Sequence, residues 1–161
     1  RQMCIRDRAL TILARISLSF PSNQLILTPH QKEWEKLSGI AIEKQNEDTT
    51  SSALTSFPQG IILVEKGPTT RIWQVGQSDY YQLQVGGPYQ ATGGMGDTLA
   101  GMIAGFAGQF RQASLYERVI VATHLHSAIA QELSQENYVV LPTEISSHLP
   151  EIMKKIYQKG T

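Results

Sequence analysis

The chain has no excess of charge of either sign. Lys plus Arg number 14 and Asp plus Glu number 14 in 161 residues, a formal net charge of +0. No net field draws such a protein to a nucleic-acid backbone or an anionic bilayer, and no Lys/Arg run offers a track for phosphates. Cysteine is almost missing as well. The single thiol, Cys4, excludes an intrachain disulfide, offers the 4 scattered histidines no metal-ligand cluster, and fits a reducing compartment. No apolar stretch approaches the length of a membrane span, and no charged, then apolar, then small-residue pattern marks a secretory signal. These absences predict a cytoplasmic protein with no nucleic-acid or membrane partner and no metal held by its own side chains. Internal repeats are absent too, and the length predicts one domain burying roughly 68–70% of its unfolded surface.

What the chain does have is a glycine-rich run, Ala91-Thr92-Gly93-Gly94-Met95-Gly96-Asp97-Thr98-Leu99-Ala100-Gly101. Gly93, Gly94 and Gly96 permit backbone angles that let the N–H groups of Gly93, Gly94, Met95 and Gly96 converge on one point, a cradle for an anion. A helix follows, predicted to begin near Asp97, with Leu99, Met102, Ile103, Phe106, Ala107 and Phe110 at the spacing of one buried face. Helix N-termini favour phosphate and hold a nearby Asp ionised, so Asp97 is poised to accept a proton. A helix N-cap after a tight turn accounts for the same residues. The run is neither the Walker pattern nor the dinucleotide fingerprint.

Two other segments end in polar residues. Leu25-Ile26-Leu27 reads as a buried strand delivering Thr28 and His30 to its C-terminal end, where ligands sit in open α/β sheets, although a lone histidine there is more often a structural or exposed one. Ile61-Ile62-Leu63-Val64 leads into Lys66-Gly67-Pro68-Thr69-Thr70, a cation, a flexible residue and two hydroxyls suited to phosphate or ribose. The alternation in residues 71–75 and 80–85 also makes that loop a hairpin turn, and both readings hold together. Residues 43–56 read as a polar connection in which Ala53, Leu54 and Phe57 can anchor a short helix. Residues 115–133 read as a helix with the stripe Leu115, Val119, Ala122, Leu125, Ile129 and Leu133. His124 and His126, two apart, do not share a face of it. A last helix starts at Pro142-Thr143-Glu144-Ile145, with Ile145, Leu149, Ile152, Met153 and Ile156 periodic, and Pro150 is predicted to split it. Strands alternating with helices predict an α/β layer fold.

Thr92-Gly93-Gly94-Met95-Gly96-Asp97-Thr98-Leu99-Ala100-Gly101 resembles the signature of the ribokinase-like superfamily, and within it the NAD(P)H-hydrate dehydratase branch. Leu27-Thr28-Pro29-His30, followed by Glu33 and Leu37, is similar to that family's strand-end segment facing the substrate. Lys66-Gly67-Pro68-Thr69-Thr70 resembles its adenine-nucleotide loop. The three motifs stand in the family's order and run from about Ala9 to the end of the chain. The resemblance implies a ribokinase-like layered sheet flanked by helices, with residues 9–161 forming the C-terminal portion of one such domain. It also implies a lyase that repairs hydrated NADH or NADPH, phosphorylating the hydrate hydroxyl from ADP or ATP and then losing phosphate. By the same resemblance Asp97 is the base, and His30 and Asp97 hold the hydrated nicotinamide. Lys66, Gly67, Pro68, Thr69, Thr70 and Gly96 hold the nucleotide. Gly93, Gly94, Met95 and Gly96 form the anion hole, and Mg²⁺ bridges the nucleotide phosphates. The family's habit implies a homo-oligomer. A superfamily kinase of a vitamin precursor and a non-catalytic nucleotide-binding domain are the two alternatives.

The chain departs from the family pattern in two places. The family's longer N-terminal half has no counterpart, and residues 1–8, which do not begin with Met, are expected to be a foreign remnant of cloning or of a sequencing adapter. At Gly87 the family commonly carries Asn, so a polar contact is lost on the approach to the glycine loop.

Overall fold

A computed structural model of the chain describes residues 3–5 and 25–159. Of the segment expected to be foreign, Met3–Ile5 is described as a strand. The rest of residues 1–8, and Ala9 and Leu10 after it, lie outside the described residues. The chain divides into two compact units, Arg1–Leu83 and Gln84–Thr161.

In the first unit a five-stranded sheet follows chain order: β1 (Met3–Ile5), β2 (Leu25–Leu27), β3 (Ile62–Glu65), β4 (Arg71–Gln74) and β5 (Tyr80–Gln82). The first three strands are parallel, Met3 facing Leu25 and Ile26 facing Ile62, and β4 and β5 are added antiparallel. β2 and β3 are buried at every position, as continuous apolar runs in parallel pairing require. Lys66 to Thr70 close the β3–β4 hairpin, so the expected strand-end loop and the expected hairpin turn are the same residues.

Side chains alternate between sheet faces, and Leu25, Leu27, Leu63 and Trp73 gather on one of them. Against them pack Trp34 from α1 (Gln31–Ser38), Leu54 from α2 (Glu47–Leu54), and Phe57, whose ring centroid lies 5.8 Å from that of Trp34. The polar stretch 43–56 does hold a helix. Asn46 caps it, accepting from the Thr49 N–H while Thr49 Oγ1 accepts from the Asn46 N–H.

The second unit begins with a single 3-10 turn, Pro88–Gln90, followed by α3 (Met95–Gly108), α4 (Leu115–Leu133) and α5 (Pro142–Lys159). α4 occupies the predicted span, with Val119, Ala122, Leu125 and Ile129 buried along its stripe. On α3, Leu99, Met102, Ile103, Phe106 and Ala107 are buried as expected, but Phe110 is not. The helix stops at Gly108, and the chain turns through Phe110 at φ 49°, leaving that ring exposed beside Phe106. Buried Arg118 of α4 holds this turn by donating to the carbonyls of Ala107 and Gln109. Pro150 does not split α5. It removes only the bond to the Ser146 carbonyl, and both residues lie on the exposed side of the helix, where water can take that bond. Among the described residues no helix is long and apolar enough to cross a membrane.

Candidate active site

β2 ends at Leu27, Thr28 is buried, and the chain emerges at exposed His30. His30 is the N-cap of α1. Its Nδ1 accepts from the Glu33 N–H at 3.3 Å, and its own N–H donates to Glu33 Oε2 at 2.8 Å. A backbone N–H can only donate, so Nδ1 must accept and the neutral ring carries its proton on Nε2. Nε2 lies 3.6 Å from the buried Glu33 carboxylate. His30 therefore has the structural role that the sequence left open, and still presents an N–H donor to a ligand.

The next strand brings Lys66 alongside. His30 and Lys66 form an isolated parallel bridge, and the Lys66 N–H donates to Pro29 O at 2.9 Å. Together with Gln31, Lys32, Ile42, Gly67 and Pro68 they line one cavity of about 480 Å³. His30 and Lys66, which the family resemblance assigns to two different ligands, thus share one rim. Thr69 and Thr70 are not part of that lining, and the Thr70 carbonyl is committed to the Leu83 N–H at 2.9 Å. Sequence reasoning missed Gln31, Lys32 and Ile42. The first two could have been found, because they form the first turn of the helix that His30 caps. Ile42 carries no local signal.

In the second unit, α3 starts two residues before Asp97. Gly94 is its N-cap, in the left-handed region at φ 90°, and a Cβ there would lie 3.2 Å from Pro142 Cγ. The left-handed backbone favours glycine, and a Cβ would in addition press Pro142 by a few tenths of an ångström. The Met95 N–H turns back to Thr92 O at 3.3 Å, and the first helical bond runs from the Thr98 N–H to Gly94 O at 3.0 Å. Asp97 is the third residue of the helix, in its acidic first turn, and it is exposed. It is therefore not the N-cap. Gly93, Gly94 and Gly96 come together with Asp97 at a helix N-terminus whose first-turn amides have no partner inside the helix, while the Met95 N–H, expected in the anion hole, is turned back to Thr92 O.

Side chains of α4 fix the approach to this loop. Gln90 Oε1 accepts from the Gly87 N–H at 3.3 Å, and Gln90 Nε2 donates to Ser127 Oγ at 3.3 Å, close to Nδ1 of buried His126. Thr92 Oγ1 donates to Val140 O at 2.9 Å. Gln90 thus supplies a polar anchor where the family's Asn is absent. A Cβ at Gly87 would lie 2.5 Å from the Tyr89 ring, so the ring occupies the space such a side chain needs. Burial pushes the Tyr89 phenol up, outweighing its hydrogen bond with Ser134.

A protein-family model described as NAD(P)H-hydrate dehydratase matches residues 4–151. The chain belongs to that family. The family resemblance read from its motifs, including the ribokinase-like α/β fold, is thereby borne out. An ADP-dependent (S)-NAD(P)H-hydrate dehydratase of Streptococcus pneumoniae is 88% identical over 151 residues, covering 94% of this chain and 52% of the relative. A ribokinase-like superfamily protein of Enterococcus faecalis, solved by crystallography, superposes with a TM-score of 0.88 at 38% identity, over 96% of this chain and 53% of its own. The ADP/ATP-dependent dehydratase of Bacillus subtilis, co-crystallized with ATP/Mg²⁺, gives 0.76 at 27% identity, over 86% and 50%. The chain spans about half the length of the curated relatives it matches. Within this dehydratase family, the glycine loop and the His30–Lys66 rim are the segments whose motifs the sequence had singled out.

Proposed function

We propose that this chain carries the phosphoryl-transfer machinery of an ADP-dependent dehydratase that restores hydrated NADH or NADPH in the cytoplasm. The observation that carries the reading is an exposed carboxylate, Asp97, in the first turn of a helix opened by a left-handed glycine. The names of the relatives support ADP as donor and NAD(P)H hydrate as substrate.

In this reading Asp97 takes the proton from the hydrate hydroxyl as its oxygen attacks the terminal phosphorus of ADP, and AMP leaves. The amides of Gly93, Gly94 and Gly96 stabilise the negative charge spread over the transferring group. The ring carbon–oxygen bond then breaks, phosphate departs, and a proton lost from the neighbouring carbon restores the double bond. His30 offers its Nε2–H to the hydrated ring. Lys66, Gly67, Pro68, Thr69, Thr70 and Gly96 hold the nucleotide, with the Lys66 ammonium countering phosphate charge.

Among the described residues no three His, Cys, Asp or Glu side chains gather closely enough to cage a metal. Mg²⁺, when bound, would neutralise charge on the nucleotide phosphates, with Asp97 the acidic side chain of the helix's first turn.

The test is recovery of reduced-nicotinamide absorbance from hydrated NADH. The protein is this chain completed with the part of the Streptococcus pneumoniae relative that it does not cover, and ADP and ATP are supplied separately. Recovery with ADP, with one phosphate and one AMP released per ring restored, is the expected result. A stable phosphorylated product would mark a superfamily kinase instead, and nucleotide binding without turnover a binding domain.

A further inference from the structure

The chain has two tryptophans, and both donate into one buried polar chain. Trp34 Nε1 donates to Thr50 Oγ1 at 3.3 Å, and the Thr50 hydroxyl donates onward to Glu65 Oε1 at 3.1 Å. Trp73 Nε1 donates to Glu65 Oε2 at 3.0 Å, with Arg71 Nη1 3.8 Å from the same oxygen. Trp34 and Thr50 are fully buried and Glu65 is 5% exposed. A carboxylate at such a site is tolerated only when its lone pairs are satisfied, and here indole, hydroxyl and guanidinium do so.

Each end of this chain of bonds is tied to the rim of the 480 Å³ cavity. Trp34 lies one turn after His30, its N–H bonded to His30 O at 2.9 Å. Glu65 is the last residue of β3 and is followed by Lys66. The His30–Lys66 bridge tethers the first residue of this pair of elements, whereas apolar packing in the core beyond it is non-directional and leaves the bearing of α1 on β3 unset. The indole–hydroxyl–carboxylate link is directional, and it spans from the helix that begins at His30 to the strand that ends before Lys66.

We propose that Thr50 and Glu65 are positioning residues that set the bearing of the helix capped by His30 on the strand that ends before Lys66, and so the place Lys66 offers the phosphates of a nucleotide, an inference that rests on the nucleotide reading above. The test compares Thr50→Val, which deletes the linking hydroxyl at nearly constant volume, with Thr50→Ser, which keeps it, in the chain completed with the part of the relative that it does not cover. Thr50→Val is expected to raise KM for ADP about tenfold with kcat within about twofold, while Thr50→Ser restores wild-type KM, as loss and rescue of one buried hydrogen bond require. A folded Thr50→Val protein with wild-type KM overturns the proposal.

Should Thr50→Val fail to fold, the two indole N–H resonances of the ¹⁵N-labelled wild type decide. Both moving with one apparent Kd on ADP titration supports the link, and saturation with neither moving overturns it. The two readings fail separately. Indole shifts with ADP but no restored NADH would sink the dehydratase activity and leave the positioning role standing. Full activity in Thr50→Val would do the reverse, and no ADP binding at all removes both.

Discussion

The two candidate regions offer an anion different things. The cavity of the first unit presents side chains, His30, Lys32 and Lys66, held on buried strands and a capped helix. The glycine loop of the second unit presents backbone, the amides of a helix that starts at left-handed Gly94. Charge carried on side chains can be altered one residue at a time with the backbone left in place. Charge carried on amides depends on a conformation, so the glycines that allow it cannot be exchanged without moving the loop. The lone carboxylate of that loop, Asp97, is the exception, a side-chain function set on a backbone platform.

The sharpest way to break this contrast is therefore at Asp97. Asp97→Asn keeps the platform and removes the base, so turnover should fall by a factor of about 10² to 10⁴, roughly 3–5 kcal/mol of transition-state stabilisation, with ADP affinity unchanged. Steady-state rates alongside calorimetric titration with ADP measure both, and wild-type turnover would reduce Asp97 to an ordinary first-turn residue. Next comes the platform itself. Gly94→Ala forces a Cβ into the left-handed region and against Pro142, and should cost about 1–3 kcal/mol in denaturant unfolding. A variant as stable as the wild type would mean that the helix starts elsewhere.

In the first unit the equivalent experiment separates cap from contact. His30→Ala should lose about 0.5–2 kcal/mol of stability with the cap, whereas His30→Asn keeps an acceptor for the Glu33 N–H and should match the wild type in stability. If His30 also contacts ligand, both variants bind hydrated NADH more weakly. If it only caps, His30→Asn binds normally.

The smallest effect is electrostatic. Hydrogen bonds from the Ser114 hydroxyl and backbone hold the Glu117 carboxyl below its usual range. A folded-state pKa below the unfolded one means the contribution is present at neutral pH and is lost as pH falls through the folded value. Ser114→Ala should raise the Glu117 titration midpoint, read by carboxyl-carbon NMR, and shrink the acid-side loss. An unmoved midpoint would remove the Ser114 hydroxyl as a cause and leave its backbone N–H.

Much of this molecule was legible because its cues are local. Leu25-Ile26-Leu27 is an apolar run and residues 115–133 carry a helical periodicity, and neither needs a partner to be read. Phe110 misled because periodicity continues past Gly108, while the helix ends where Arg118, distant in sequence, takes the last carbonyls. Pro150 misled in the opposite sense, since the cost of a missing N–H depends on whether the orphaned carbonyl faces protein or solvent. Ile42 and Gln90 gave no warning, because neither residue type nor spacing marks a side chain whose partner is chosen by tertiary contact.

Apart from β1, which lies in the segment expected to be foreign, the order of strands and helices, the glycine loop with its carboxylate and the family were contained in the sequence by itself, since each rests on short-range spacing and backbone freedom. Tertiary structure alone decided that His30 and Lys66 share one rim, and that two tryptophans, a threonine and a glutamate join into one buried chain beside it. Those contacts link residues 8 to 36 positions apart, and a hydrogen bond between such residues exists only after apolar burial has brought the strands and helices together.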